Sequence, residues 1–343
     1  MIEMRSDTFT MPTPAMLKAM VTAPLGDDVY GEDPTVNRLE SLAALRLGKE
    51  SACLLPSGTM ANLASIMAHS PRGSSVIVGS ESDIYLYEAG GAAVCGGVTY
   101  VPVPNQQDGT LALIDLAEAL PADLEDPQFA LPALVCLENT QNRCGGRVLS
   151  DGYQASVQEW AHANGLAVHL DGARVFNASV SQGVPASEVA AHADSVQFCL
   201  SKGLSAPIGS IVAGSGEFVA RVRRIRKMLG GGMRQAGVIA AAGIVALEEM
   251  VEHLATDHAL ARRFAHGLAT LPAIALESMP ETNIILFRVL DPRFTWSSFV
   301  DAAGAAGLAL IGFGHERIRA VTHSGLSTED IDRGLEVIAK VLA

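Results

Sequence analysis

Ala167-Val-His-Leu-Asp-Gly-Ala-Arg174 reads as an apolar strand that ends on an acid, and Cys199-Leu-Ser-Lys-Gly-Leu-Ser-Ala-Pro-Ile-Gly-Ser210 as a strand end followed by small residues around a single lysine. Short β-rich runs alternate with helical patterns on either side of these segments, which is the mark of a parallel or mixed sheet covered by helices on both faces. Ligands bind such sheets at the carboxyl ends of the strands. Asp171 and Lys202 stand 31 positions apart, room for one strand, one helix and the next strand, so both are expected at the same sheet edge.

Working outward, strands are expected at Val76–Val78, Thr99–Pro102, Leu134–Leu137, Ala167–Asp171, Ser195–Leu200 and Ser210–Ala213, with helices at Thr59–His69, Leu113–Leu120, Tyr153–Asn164 and Phe218–Met228. Gly165 falls where a helix stops and a strand starts. Gly237 to Leu268 contains no proline and reads as one long helix bridging two lobes. Beyond Pro272 the character changes: runs at Asn283–Val289 and Arg317–Thr322, a helix near Ser297–Ala306, and a last helix opened by Ser327 with Asp330 at capping-box spacing suggest a smaller α+β lobe. The expected division is a large domain over residues 1–250 and a small C-terminal one over 251–343.

With 49% hydrophobic and 18% charged residues in 343, the chain has an ordinary globular balance. A net charge of -13 argues against a nucleic-acid partner, and the one basic cluster, Arg221 to Lys227, reads on its own as a solvated helix face. Five cysteines without C-x-x-C spacing fit a reduced, cytoplasmic compartment. The N-terminus has no charged-then-apolar leader, and no apolar run reaches the roughly 18 residues of a membrane span. Nine scattered histidines form no H-E-x-x-H pattern, so no catalytic metal is expected.

Three elements together suggest chemistry. Ser57-Gly58-Thr59 opens a helix, where free N–H groups and the helix dipole favour a phosphate. Asp171 is placed to keep a pyridine nitrogen protonated, because opposite charges at close range favour both ionised forms. Lys202 offers the amine for a Schiff base. A phosphorylated pyridine aldehyde used as an electron sink needs these three things. Each taken alone has a plain structural reading: a helix cap, a turn acid, an exposed loop lysine.

The chain resembles the threonine aldolases, fold-type-I pyridoxal-phosphate (PLP) enzymes of the β-eliminating lyase group. The matching segments are Ser6-Asp7-Thr8, Gly26 to Glu40, Leu55-Pro-Ser-Gly-Thr-Met-Ala-Asn62, Tyr87 to Gly91, Glu138-Asn-Thr140, His169 to Arg174, Ser201-Lys-Gly-Leu204, Arg226 to Gly237 and Arg319 to His323. The resemblance implies an α/β architecture, a mostly parallel seven-stranded sheet between helices plus a small α+β domain. It implies that Lys202 carries PLP, Asp171 pairs with the ring nitrogen, and Gly58 and Thr59 hold the phosphate. Arg174 is expected near cofactor and substrate, Ser6 and Arg319 at the substrate carboxylate, and Tyr30 near the pocket. Lys227 and Arg234 are expected to reach the cofactor phosphate from a neighbouring subunit, in a homo-oligomer that is a dimer of dimers with active sites at the subunit interface.

Two positions depart from the family pattern. Asp83, in Ser82-Asp83-Ile84, replaces a histidine that stacks on the cofactor ring, and Gln141, in Glu138-Asn-Thr-Gln-Asn142, replaces a second histidine near the substrate hydroxyl. Cleavage of a β-hydroxy-α-amino acid to glycine and an aldehyde needs a base for the hydroxyl proton. Asp83 is the candidate for that role, and Tyr85, Tyr87 and Glu88 are further pocket candidates. Other PLP reactions on a small amino acid, namely β-elimination, racemisation or transaldol transfer, stay open, as does a silent scaffold, against which Lys202, Asp171, Gly58, Thr59 and Arg319 all stand intact.

Overall fold

The computed structural model describes residues 1–343. Seven strands form the main sheet in the order Ser51–Leu55, Ser210–Gly214, Ser195–Cys199, Ala167–Asp171, Pro132–Glu138, Ser75–Gly79, Thr99–Val103. Neighbours are parallel except where Ser210–Gly214 runs against both of its partners. Residues alternate between the two faces, as strand geometry requires. Val76 and Val78 pack with Leu63 and Ile66 of the Gly58–His69 helix, while Ile77 joins the opposite core with Val157 and Ala161 of the Asp151–Ala163 helix. Both faces are therefore buried, which is why the strands read as apolar runs.

The six expected strands are all present, Ala167–Asp171 with the expected ends and the others with ends displaced by at most two residues. Sequence reading missed the seventh, Ser51–Leu55, and the helices Pro14–Thr22 and Pro34–Leu47. A signal for the helices was there: Thr13 and Asp33 cap them from the side chain, each directly before a proline in the first turn.

The long helix expected from Gly237 to Leu268 is instead broken into Gly237–Val245, a widened π turn at Ala246–Met250, and Leu254–Ala269. The break falls where the buried face changes cores. Ile244, Leu247 and Leu254 belong to the large core beneath the main sheet, whereas Leu260, Phe264 and Leu268 belong to the small lobe. A straight helix would not turn one stripe toward both.

The small lobe is an antiparallel sheet of Ile311–Gly312, Ile318–Val321, Ile284–Val289 and Ile274–Leu276 packed on helices, and Ser327 with Asp330 forms the expected capping box. Ile2–Glu3 pairs in parallel with Leu308–Ala309, and Ile2 and Met4 join this lobe's core. The chain then runs from the small lobe toward the main sheet, and Thr10 Oγ1 donates to the Lys202 carbonyl at 2.8 Å.

Candidate active site

Strand register lines up three polar side chains at the carboxyl edge, Glu138 opposite Asp171 and Asp171 opposite Gln197. The Asp171 carboxylate is buried, and its Oδ1 accepts from the Gln197 amide and from Ala173 N at 3.1 Å, its Oδ2 from Asn62 Nδ2 at 2.9 Å. Burial pushes Asp171 upward, and the Lys202 charge opposes that shift. Lys202 follows the Ser195–Cys199 strand in a tight turn, where its carbonyl accepts from Ser205 N at 2.9 Å.

Both residues line one cavity of about 260 Å³ together with Ser57, Gly58, Thr59 and Asp83. The helix opens at Gly58 behind the Ser57 cap, so its first N–H groups are unspent at the cavity. A Cβ on Gly58 would lie 2.9 Å from Cys199 Sγ, which explains the glycine. Gln197, also in the lining, leaves Oε1 buried without a donor. Amine, acid, helix N-terminus and an unmatched buried acceptor around one cavity fit a phosphorylated pyridine.

Arg174 lies behind this cavity rather than in its lining. Its Nε and Nη2 each donate to Asp7 at 2.7 Å, and both side chains are buried. Burial alone would raise Asp7, but Arg174 overrides it and holds the carboxyl well below the usual range. Asp7 belongs to the Ser6-Asp7-Thr8 segment, and its partner lies 167 positions along the chain, beyond the reach of any local sequence signal. Removing one partner of a buried pair leaves the other charge uncompensated, so Asp7→Ala is expected to cost about 3–5 kcal/mol of stability. Urea unfolding checks this; a loss under about 1 kcal/mol would show that Arg174 finds another partner.

Arg319 is also buried: Nη1 donates to Asn142 Oδ1 at 2.8 Å, Nη2 to the Arg5 carbonyl at 3.2 Å, and Nε has no acceptor. Asn142 Nδ2 in turn donates to Asp83 Oδ1 at 3.0 Å, so one amide ties the arginine to the carboxylate. Asp83 N donates to Glu138 Oε2 at 2.9 Å. Gln141 is outside the cavity lining; its amide donates to the Glu81 carbonyl at 2.9 Å and its Oε1 accepts from Cys144 N at 2.7 Å, which uses it up in holding its own loop. Ser6 Oγ accepts from Thr8 N and Thr8 Oγ1, at 3.2 and 2.9 Å.

Tyr30 and Lys227 line a separate cavity of about 720 Å³ beside the buried Arg226–Asp28 pair, and Arg234 pairs with Asp27 at 3.0 Å. Within one chain these three do not meet Lys202. Tyr85 is exposed and outside the lining of the Lys202 cavity, whereas Tyr87, also exposed, lines it, and its hydroxyl accepts from Arg143 at 2.7 Å.

Glu88, as expected of a pocket residue, lines the same cavity beside Asn62, accepting from its Nδ2 at 2.8 Å, and burial followed by the charge of Asp171 pushes its carboxyl up to about 9. A carboxyl raised above its ordinary 4.5 adds full stability only below that value and loses it as pH climbs toward 9. Glu88→Gln keeps an acceptor for Asn62 without the ionisable group. It is expected to match the wild type near pH 5 and melt several degrees higher at about pH 8. Thermal scans of the cofactor-free protein at both pH values decide, and an equal difference at each would refute the assignment.

Residues 3–291 match the family described as Beta-eliminating lyase. The chain is 44% identical over 343 residues to the probable low-specificity L-threonine aldolase 2 of Arabidopsis thaliana, covering 99% of this chain and 97% of that one. It is 46% identical over 289 residues to the low specificity L-threonine aldolase of Escherichia coli (strain K12), covering 84% and 85%. Among solved structures, a Leishmania major threonine aldolase superposes with a TM-score of 0.83 at 19% identity over 99% of both chains, a likeness of fold.

Proposed function

The chain belongs to the Beta-eliminating lyase family, and from that premise we propose that it is a PLP-dependent aldehyde-lyase of the L-threonine and L-allo-threonine aldolase type, cleaving a β-hydroxy-α-amino acid to glycine and an aldehyde. The observation that carries this reading is the meeting of Lys202, Asp171 and the Gly58–Thr59 helix start in one cavity that also contains Asp83.

Lys202 would hold the cofactor covalently, Asp171 its ring nitrogen, and Gly58 and Thr59 its phosphate. When bound, PLP supplies the sink for the electrons of the breaking Cα–Cβ bond. Arg319 offers the substrate carboxylate its unmatched Nε, in a buried site where charge-assisted hydrogen bonds are strong. Arg174, its charge fixed by Asp7, raises the positive potential around the same carboxylate. Asp83 takes the proton from the β-hydroxyl, held in place through Asn142 at a defined position relative to Arg319. Incubation of the PLP-loaded protein with L-threonine, L-allo-threonine and L-phenylserine tests the reading: glycine and the matching aldehyde are expected. A second reading has an observation in its favour, because no imidazole lines the cavity. Release of ammonia and a keto acid, or loss of optical purity without an aldehyde, would establish β-elimination or racemisation instead.

That Tyr30 and Lys227 line a cavity other than the one around Lys202, and that Arg234 is outside the lining of both, supports a homo-oligomer in which a second copy brings these side chains to Lys202, two such dimers forming the assembly. Exposed Tyr30 at 75% and Val94 at 79% relative accessibility add apolar surface for such contacts. All five thiols are unpaired and no helix is long and apolar enough to cross a membrane, which supports a cytoplasmic location.

A further inference from the structure

The sheet face that meets the Gly58–His69 helix presents His169 and Asp171 on one strand, with Ser195 and Gln197 directly opposite them on the next. Asn62 and His69 stand seven residues apart on that helix, two turns, so they share a side about 10 Å apart. Crossing the two rows produces one unbroken hydrogen-bond chain. His69 Nε2 meets Ser195 Oγ at 2.8 Å, Ser195 Oγ meets His169 Nδ1 at 2.8 Å, His169 Nε2 meets Asn62 Oδ1 at 3.1 Å, and Asn62 Nδ2 meets Asp171 Oδ2 at 2.9 Å. Four of the five residues are buried, and only His69, stacked on Phe218 with ring centroids 4.5 Å apart, is partly exposed.

Proton positions along this chain follow from its acid end. Asn62 Nδ2 lies 2.9 Å from Asp171 Oδ2, and an ionised carboxylate that also takes donors from Gln197 and Ala173 can only accept, so the amide nitrogen faces Asp171 and Oδ1 faces His169. An acceptor there requires a proton on His169 Nε2. Burial keeps this ring neutral, its pKa pushed down to about 3, so Nδ1 is bare. Ser195 then gives its one hydroxyl proton to Nδ1, and its oxygen receives the proton of His69 Nε2. Every donor in the row points toward Asp171. Aligned bonds of this kind polarise one another, by about 10–30% each.

We propose that His69, Ser195 and His169 are positioning residues: a one-way relay, reaching from the far end of the helix, that polarises Asn62 against Asp171 and holds that carboxylate as the ionised partner of the cofactor ring nitrogen. The cofactor half of this statement rests on the PLP reading above; the direction of the relay does not.

Nitrogen NMR of the full-length protein labelled in its histidines tests it. Both rings are expected neutral with the proton on Nε2, without cofactor and with it. In Ser195→Ala the His169 Nδ1 resonance is expected to move and the PLP dissociation constant to rise about tenfold, the loss of one hydrogen bond linked to a charge. His69→Leu should weaken PLP comparably, whereas His69→Gln, whose Nε2 can still donate to Ser195, should bind within about threefold of wild type. A proton on His169 Nδ1, or wild-type PLP affinity in both Ser195→Ala and His69→Leu, overturns the relay. Wild-type protein that binds no PLP overturns the cofactor reading, while the tautomers measured without cofactor still decide the direction of the relay.

Discussion

Lys202→Ala is expected to lose the visible absorption that PLP gains when joined to a protein amine, and to lower turnover on the order of 10⁴-fold, as loss of a residue that both carries the cofactor and moves protons should. The substitution leaves the fold in place. The backbone around Lys202 is held by Thr10 Oγ1 and Ser205 N at its carbonyl, and neither contact involves the lost side chain. Asp171 keeps its three donors, Gln197, Ala173 and Asn62. Titration with PLP followed by a spectrum and a melting curve separates loss of attachment from loss of structure. A Lys202→Ala protein that is folded and still shows both band and turnover would mean that another amine does the work, and the reading would fail.

Asp171 and Lys202 were legible because each follows from a rule with a short reach: strand periodicity locates the strand ends, and the carboxyl edge of a parallel sheet locates the ligand. The capping box at Ser327 is likewise local. Asp7 with Arg174 was not legible, since the two are 167 positions apart and only the path of the N-terminal segment from the small lobe brings them together. The relay behind Asp171 was hidden for the same reason. His169 and Ser195 could be placed on strands, but their facing positions depend on register, and their link to Asn62 depends on which helix covers that face. Resemblance placed Gln141 at the substrate by its position in a motif. Folding instead turns its amide to Glu81 and Cys144, because the loop needs those hydrogen bonds closed. The helix break near residue 250 was invisible in composition, since it answers to a change of core partner and not to a proline or glycine.

Asp83→Asn carries the second large effect, because the family resemblance leaves this carboxylate where a histidine is usual. The side chain lines the same cavity as Lys202, with Oδ1 held by Asn142 and no protein donor on Oδ2. One oxygen is thus fixed and the other is free to accept a proton from substrate. Glu138, beside it, is occupied by its own loop: burial, then the charges of Asp83 and Asp171, raise its carboxyl well above the usual range, and its two oxygens accept from Asp83 N and Asn142 N. Asparagine preserves shape and the Asn142 contact geometry but cannot take a proton, and turnover should fall by about 10²–10⁴. PLP affinity should hold, since Lys202, Asp171, Gly58 and Thr59 are untouched. Asp83→His restores an imidazole and should recover aldehyde release with an acid limb near the ordinary imidazole value of about 6.5. Rates against pH for wild type and both variants, read beside PLP titrations, decide the matter: an Asp83→Asn enzyme that turns over as fast as wild type removes Asp83 from the chemistry and leaves the hydroxyl proton to water or to a group from a second copy.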